Sequence, residues 1–283
     1  MSRFRFLFST LICCLSAVTS SAHAQTKAVA PAKAPGAAVK TVPVTTSKSV
    51  MVINALTGAS IYEKNADEKR AVASTQKLMT ALLICESGNL DRMATAGDYD
   101  AQAEPTKIYL KSGGQYPRRE LLKALLMKSA NDTARCLARA QAGTEDAFAV
   151  LMNKRAAQLG MTNSRFLNAS GLPAAQYSTA RDMSLLARAA LYQPVIRGIV
   201  GTAKSTFSHP DGRTVALQST NHLLGVDPYC TGMKTGYTDA AGKCLICSGV
   251  HKGKAVIIVL LGSTSSKIWD EAKSLLHWGL GVP

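Results

Sequence analysis

Acidic residues are scarce in this chain. It has 18 Asp and Glu against 33 Lys and Arg, a formal net charge of +15. That balance favours anionic partners such as nucleic acid, phospholipid or an anionic wall polymer, and it equally fits a soluble protein that is merely basic. Charge alone does not choose among them. Long apolar runs are also few. No stretch, the N-terminal one included, reaches the roughly 20 residues a spanning helix needs. Histidine is confined to His23, His209, His222, His251 and His277. No Gly-x-Ser-x-Gly elbow occurs, so a Ser-His-Asp hydrolase explains the chain poorly. Cys244-Leu-Ile-Cys247 has no second Cys pair and no His at metal-ligand spacing, which argues against a zinc or redox motif. No internal repeat is present. What is abundant is apolar: 47% of the 283 residues, enough for a sizeable core and too much for wholesale disorder.

The N-terminus indicates a compartment. Arg3 and Arg5 precede an apolar run from Phe6 to Val18, and Ala22-His23-Ala24 fits a small-x-small cleavage site. The run is too short for an ordinary spanning helix. Residues 1–24 therefore read as a signal peptide, with Gln25 as the mature start and an exported, periplasmic or extracellular product. Bulky Leu11 and Ile12 ahead of Cys13 argue against lipid modification at Cys13 or Cys14. Residues 25–47, with Pro31, Pro35 and Pro43 and no apolar periodicity, read as an Ala/Pro/Lys-rich tether. Five cysteines remain after cleavage: Cys85, Cys136, Cys230, Cys244 and Cys247. An odd number in an oxidising compartment leaves at least one unpaired or paired between chains.

Residues 48–283 read as one folded domain. Val50 to Asn54 and Ser60 to Glu63 form a hairpin pattern around Gly58. Ser74 opens a helix that is apolar nearly all round, through Leu78, Met79, Leu82, Leu83 and Ile84, and so belongs in the interior. Helices are predicted from Pro117, over Glu145 to Leu159, Ala180 to Leu191 and Ile268 to Trp278. Late strands fall at Val215 to Gln218, Gly232 to Thr235, Cys244 to Val250 and Ala255 to Leu261. Strands at both ends with helices between predict an α/β (α+β) fold: an antiparallel sheet joining first and last strands, flanked by helices, with a helical subdomain inserted. The sequence stops just after the last helix, so no stable membrane anchor is expected.

Three short motifs carry chemistry. Ser74-Thr-Gln-Lys77 puts a serine at a helix start and a lysine three residues on, on the same face. A lysine on a buried helix is costly unless paired or neutral, and a desolvated lysine can activate a serine. Alone the pattern is weak, since most such serines are helix caps. Ser129-Ala-Asn131 alone reads as a turn with a cap. Lys234-Thr235-Gly236 lies on a predicted strand. Together and in this order they resemble the signature of penicillin-binding proteins and serine β-lactamases.

The resemblance extends further. Glu63 to Thr80, Leu159 to Asn163, Ser178 to Met183, Asn221 to Leu224 and Gly232 to Asp239 resemble the low-molecular-mass D-alanyl-D-alanine carboxypeptidases, serine peptidase family S11. The similarity covers about residues 48 to 280. It implies a β-lactamase/transpeptidase-like fold. It implies that Ser74 forms an acyl-enzyme with stem peptides ending in D-Ala-D-Ala, that Lys77 takes its proton, and that Ser129 relays a proton to the leaving group. Asn131 would hold Lys77 and the substrate amide. Lys234 and Thr235 would bind the terminal carboxylate, Gly236 would let substrate approach, and the N–H groups of Ser74 and Tyr237 would form the oxyanion hole. Neither a metal nor a cofactor is implied, nor a nucleic-acid partner. β-Lactams would be covalent inhibitors.

Within that class, the Glu-x-x-Leu-Asn element of class A β-lactamases is missing: Leu167-Asn168 is preceded by Ser164 at the Glu position. Slow deacylation from β-lactams is expected. A D,D-endopeptidase remains the alternative to a carboxypeptidase. An inactive wall-binding protein is disfavoured because all three motifs are intact. The arginine that often supports carboxylate binding in the family has only Ser263 and Lys267 as counterparts.

Overall fold

The computed structural model describes residues 41–264 and 266–283. The segment read as a signal peptide and most of the predicted tether lie outside the described residues. Strands β1 (Ser49–Asn54) and β2 (Ser60–Lys64) form the expected antiparallel hairpin. A 3-10 turn (Ala73–Gln76) leads into α1 (Lys77–Glu86). The middle of the chain holds β3 (Met93–Thr95), α2 (Asp98–Ala101), β4 (Gln115–Pro117), α3 (Arg118–Met127), α4 (Asn131–Ala142), α5 (Glu145–Gln158), α6 (Ala180–Tyr192) and α7 (Pro194–Val200). The hairpin β5 (Lys204–Ser208) and β6 (Thr214–Gln218) follows, then β7 (Cys230–Thr238), β8 (Gly242–His251), β9 (Lys254–Ser263) and α8 (Ile268–Leu280).

The main sheet has the order β2-β1-β9-β8-β7, antiparallel throughout. First and last strands are joined, from Ser49 opposite Leu261 to Asn54 opposite Val256. Side chains alternate across a strand, so each sheet face gathers its own core. Ile257, Val259 and Leu261 of β9 face the helical region with α1 at its centre. Val256, Ile258 and Leu260 face α8 with Leu275 and Leu276. The expected α+β architecture with an inserted helical region is the one observed.

Helix α1 owes its position to its composition. Leu78, Met79, Leu82 and Ile84 have no exposed surface, and burying each such side chain is worth about 1.5–3 kcal/mol. Lys77 shares the same burial, so packing that fixes the helix also strips water from the lysine. The helix starts later than its sequence suggests. Ser74 lies in the 3-10 turn, whose first residue, Ala73, has φ +48°. Helix α4 begins directly at Asn131. The short strands β3, β4 and β5 and helix α7 have no clear periodic signal.

The end of the predicted tether is anchored. Thr45 Oγ1 donates to Glu271 Oε2 at 2.6 Å, Thr46 N to Oε1 at 2.8 Å, and Ser47 Oγ to Oε2 at 2.5 Å. Burial alone would raise the Glu271 carboxyl, but these donors outweigh it and draw its pKa down to about 2.

Candidate active site

Ser74 sits where the sheet meets the helical region. Two glycines permit the approach. A Cβ on Gly236 of β7 would lie 2.9 Å from Ser74 N, and one on Gly171 would lie 2.2 Å from Ala73 O. Neither position has room for a side chain.

Lys77 lies beneath Ser74. Its Nζ is 2.9 Å from Ser74 Oγ, 2.7 Å from Asn131 Oδ1 and 2.5 Å from Ser170 O. Burial, then the charge of Lys234, lowers its pKa well below the ordinary lysine value. A neutral amine has two N–H groups and one lone pair. Asn131 Oδ1 and Ser170 O take the two N–H groups, and the lone pair is left for the Ser74 proton. The Asn131 amide is oriented for this: its Nδ2 donates to Glu104 O at 2.9 Å and Pro105 O at 3.1 Å, which turns Oδ1 toward Lys77.

A second lysine–serine pair faces the first. Lys234 Nζ donates to Ser129 Oγ at 2.9 Å and Thr235 O at 2.8 Å. Burial lowers its pKa to about 7. Ser129 is held at φ +63°, an unusual conformation for a residue with a Cβ. Thr235 Oγ1 is 2.6 Å from Thr220 Oγ1. Tyr237 is exposed, its hydroxyl donating to Asp239 at 2.8 Å and Lys243 Nζ standing 4.5 Å over its ring.

These groups open into a cleft of about 440 Å³ lined by Ser74, Ser129, Thr235, Gly236 and Tyr237. It continues past Thr220 to His222 and Trp269, whose rings stack with centroids 4.4 Å apart and planes at 20°. Lys128 and Lys243 flank it, and no Asp or Glu lines it. Another cavity, about 360 Å³ between Leu56, Tyr192 and Val250, holds no serine–lysine pair.

All eight residues singled out from the sequence thus come together around one cleft. The carboxylate-supporting substitutes do not. Ser263 Oγ turns to Glu271 Oε2 at 3.3 Å, and Lys267 is the exposed cap of α8. Lys243, opposite Ser263 on β8, lines the cleft instead. Ser164, at the position a β-lactamase gives to Glu, bonds to Asp182 Oδ2 and Ser178 Oγ at 2.7 Å, away from the cleft lining. The sequence reading missed Ser170, Thr220, His222, Lys243 and Trp269. Gly171, beside Ser170, is the residue type that such close backbone packing requires. Cys244 and Cys247 belong to cores on opposite faces of the sheet, as residues three apart on a strand must. They do not form a paired motif.

The profile of the D-alanyl-D-alanine carboxypeptidase family of peptidases, S11, matches residues 36–265. The chain belongs to this family. It is 33% identical over 228 residues to the D-alanyl-D-alanine carboxypeptidase DacF of Bacillus subtilis, covering 78% of this chain but 58% of that protein. It is 34% identical over 241 residues to the D-alanyl-D-alanine endopeptidase of Escherichia coli, covering 81% of this chain and 77% of that one. Among solved structures, the ampicillin-bound penicillin-binding protein D2 of Listeria monocytogenes superposes with a TM-score of 0.73 at 30% identity, over 83% of this chain and 98% of that one. The β-lactamase/transpeptidase-like fold expected from the resemblance is the fold of this family member. No described helix is long and apolar enough to cross a membrane.

Proposed function

We propose that this protein is a serine D-Ala-D-Ala carboxypeptidase that removes the terminal D-alanine from peptidoglycan stem peptides. The observation that carries this reading is the buried Lys77 amine, 2.9 Å from Ser74 Oγ with both N–H groups committed elsewhere. Ser74 Oγ attacks the carbonyl of the penultimate D-alanine while its proton passes to Lys77 Nζ. The oxyanion is received by the N–H groups of Ser74 and Tyr237. Ser129, bonded to Lys234, hands a proton to the departing amine. Lys234 and Thr235 hold the terminal carboxylate. Water then attacks the acyl-enzyme and restores Ser74. β-Lactams enter the same path and stop at the acyl-enzyme: their leaving amine stays tethered in the cleft, and Ser164 stands where a β-lactamase carries its water-activating Glu. The reading includes export: residues 1–24 act as a signal peptide, residues 25–47 as a tether and residues 48–283 as the wall-facing enzyme.

A second reading, D,D-endopeptidase, is supported by one feature. The cleft runs on from Thr235 to the His222–Trp269 stack, room that a free D-alanine leaving group does not fill. Mass spectrometry of products from a purified pentapeptide muropeptide and a cross-linked dimer separates the two. The carboxypeptidase reading expects loss of one D-alanine from the pentapeptide at the higher kcat/KM. Faster opening of the dimer overturns it in favour of the endopeptidase, and no product from either overturns both.

A further inference from the structure

Two cysteines outside the cleft are placed to react with each other. Cys230 opens β7 and Cys247 lies in the middle of β8, and their Sγ atoms are 3.7 Å apart. Both sit in the core between the sheet and α8. The register explains the approach. Cys230 is opposite Gly249, two residues from Cys247 on the same face. Gly249 leaves this spot to Leu276 of α8, which a Cβ there would meet at 2.5 Å. A bulge between Cys230 and Gly232 breaks the regular ladder at this point and turns the strand locally. Among the described residues, no other pair of cysteine sulfurs is in contact.

We propose that Cys230 and Cys247 form an intramolecular disulfide when the folded or folding protein meets a disulfide-bearing oxidant. Closing the gap to the roughly 2.05 Å of an S–S bond requires both side chains to turn toward each other, and the interrupted pairing beside Cys230 is where the backbone can follow. Cys230 reacts first. It is the more exposed, at 8% against 0% for Cys247. The contact with Cys247 favours its thiolate, whereas Cys247 is pushed the other way. The Cys230 thiolate attacks the oxidant disulfide and releases one thiol. Cys247, giving up its proton, attacks the mixed disulfide at Cys230 and releases the second. Two protein thiols are oxidised and one oxidant disulfide is reduced to two thiols, so atoms and electrons balance.

The bond has a structural consequence. β7 is an edge strand, paired only with β8 within the sheet. It carries Lys234, Thr235 and Gly236 close to the bulge that interrupts its pairing. A covalent link at the bulge holds the end of the strand where hydrogen bonding is interrupted. Neither cysteine touches the reacting groups, and the inference stands apart from the peptidase reading.

The test uses the full chain equilibrated with oxidised glutathione, denatured, alkylated and digested. The expected result is a Cys230–Cys247 linked peptide, with Cys85, Cys136 and Cys244 alkylated. Cys230→Ser should leave Cys247 alkylated or carrying glutathione. The oxidised wild type should melt on the order of 5 °C above the reduced protein, a gain absent from Cys230→Ser. Full alkylation of Cys230 and Cys247 after oxidation, or a bond joining other cysteines, overturns the pairing. An oxidised protein that melts with the reduced one overturns the role assigned at the end of β7.

Discussion

Asn131 Oδ1 accepts a hydrogen bond from Lys77 Nζ at 2.7 Å, a neutral acceptor beside a lysine whose pKa burial and the Lys234 charge lower well below the ordinary value. A carboxylate at the same distance would favour the ammonium form instead. Asn131→Asp is nearly isosteric and should raise the Lys77 pKa. Acylation by penicillin at neutral pH should fall by about 10- to 1000-fold, the equivalent of 1–3 pKa units, and part of the rate should return at high pH. The measurement is the second-order acylation rate from pH 6 to 10. An unchanged profile would show that Lys77 does not work as the neutral base.

Lys234 predicts the alkaline limb. Its pKa of about 7, lowered by burial, means the cation that would hold a carboxylate is present below pH 7 and lost above it. kcat/KM, which reports the free enzyme, should decline as pH rises through that value. Bound carboxylate favours the charged lysine, so the decline in kcat should begin at higher pH. Lys234→Arg keeps its charge throughout this range. It should retain partial activity and lose the alkaline decline near pH 7. Steady-state profiles for a D-Ala-D-Ala peptide check both statements.

The His222–Trp269 stack should matter for large leaving groups only. Trp269→Ala should lower kcat/KM for a cross-linked dimer by roughly 2- to 10-fold, the scale of a lost aromatic contact of about 0.5–1.5 kcal/mol. The pentapeptide should change by less than about twofold, within the scatter of remote substitutions. Equal losses on both substrates would place the stack in general support of the fold.

Glu271 links stability to acid. Its folded pKa of about 2 lies below the usual glutamate value. Its contribution is therefore complete above pH 4.5 and lost as pH falls toward 2. Glu271→Gln should destabilise the protein by about 1–3 kcal/mol at pH 7 and flatten the decline in melting temperature between pH 5 and 3. A variant as stable as wild type at pH 7 would show that the anchoring of Thr45, Thr46 and Ser47 is incidental.

Much of the site was legible because its key residues lie on regular elements. The spacing of Ser74 and Lys77 puts them on one side of a turn, and the apolar residues of α1 announce the burial that lowers the Lys77 pKa. Lys234 to Gly236 could be placed on a strand by their surroundings. What could not be read depends on tertiary approach. Ser170 acts through a backbone carbonyl, which leaves no mark in residue type. His222 and Trp269 are far apart in sequence and meet only when α8 packs beside the loop after β6. Lys243, and neither Ser263 nor Lys267, lines the cleft because it lies across the sheet on β8, a relation fixed by strand register and not by sequence distance.

The central claim is that Ser74 is the nucleophile and Lys77 its neutral base. Intact-mass measurement of the protein incubated with penicillin, followed by peptide mapping, tests it most directly. One covalent adduct is predicted, on the peptide containing Ser74. Ser74→Ala should take up none. Lys77→Arg, whose guanidinium stays charged and cannot accept the proton, should fold but take up none on the same timescale. An adduct retained in Ser74→Ala, or acylation of Lys77→Arg at the wild-type rate, would contradict the account.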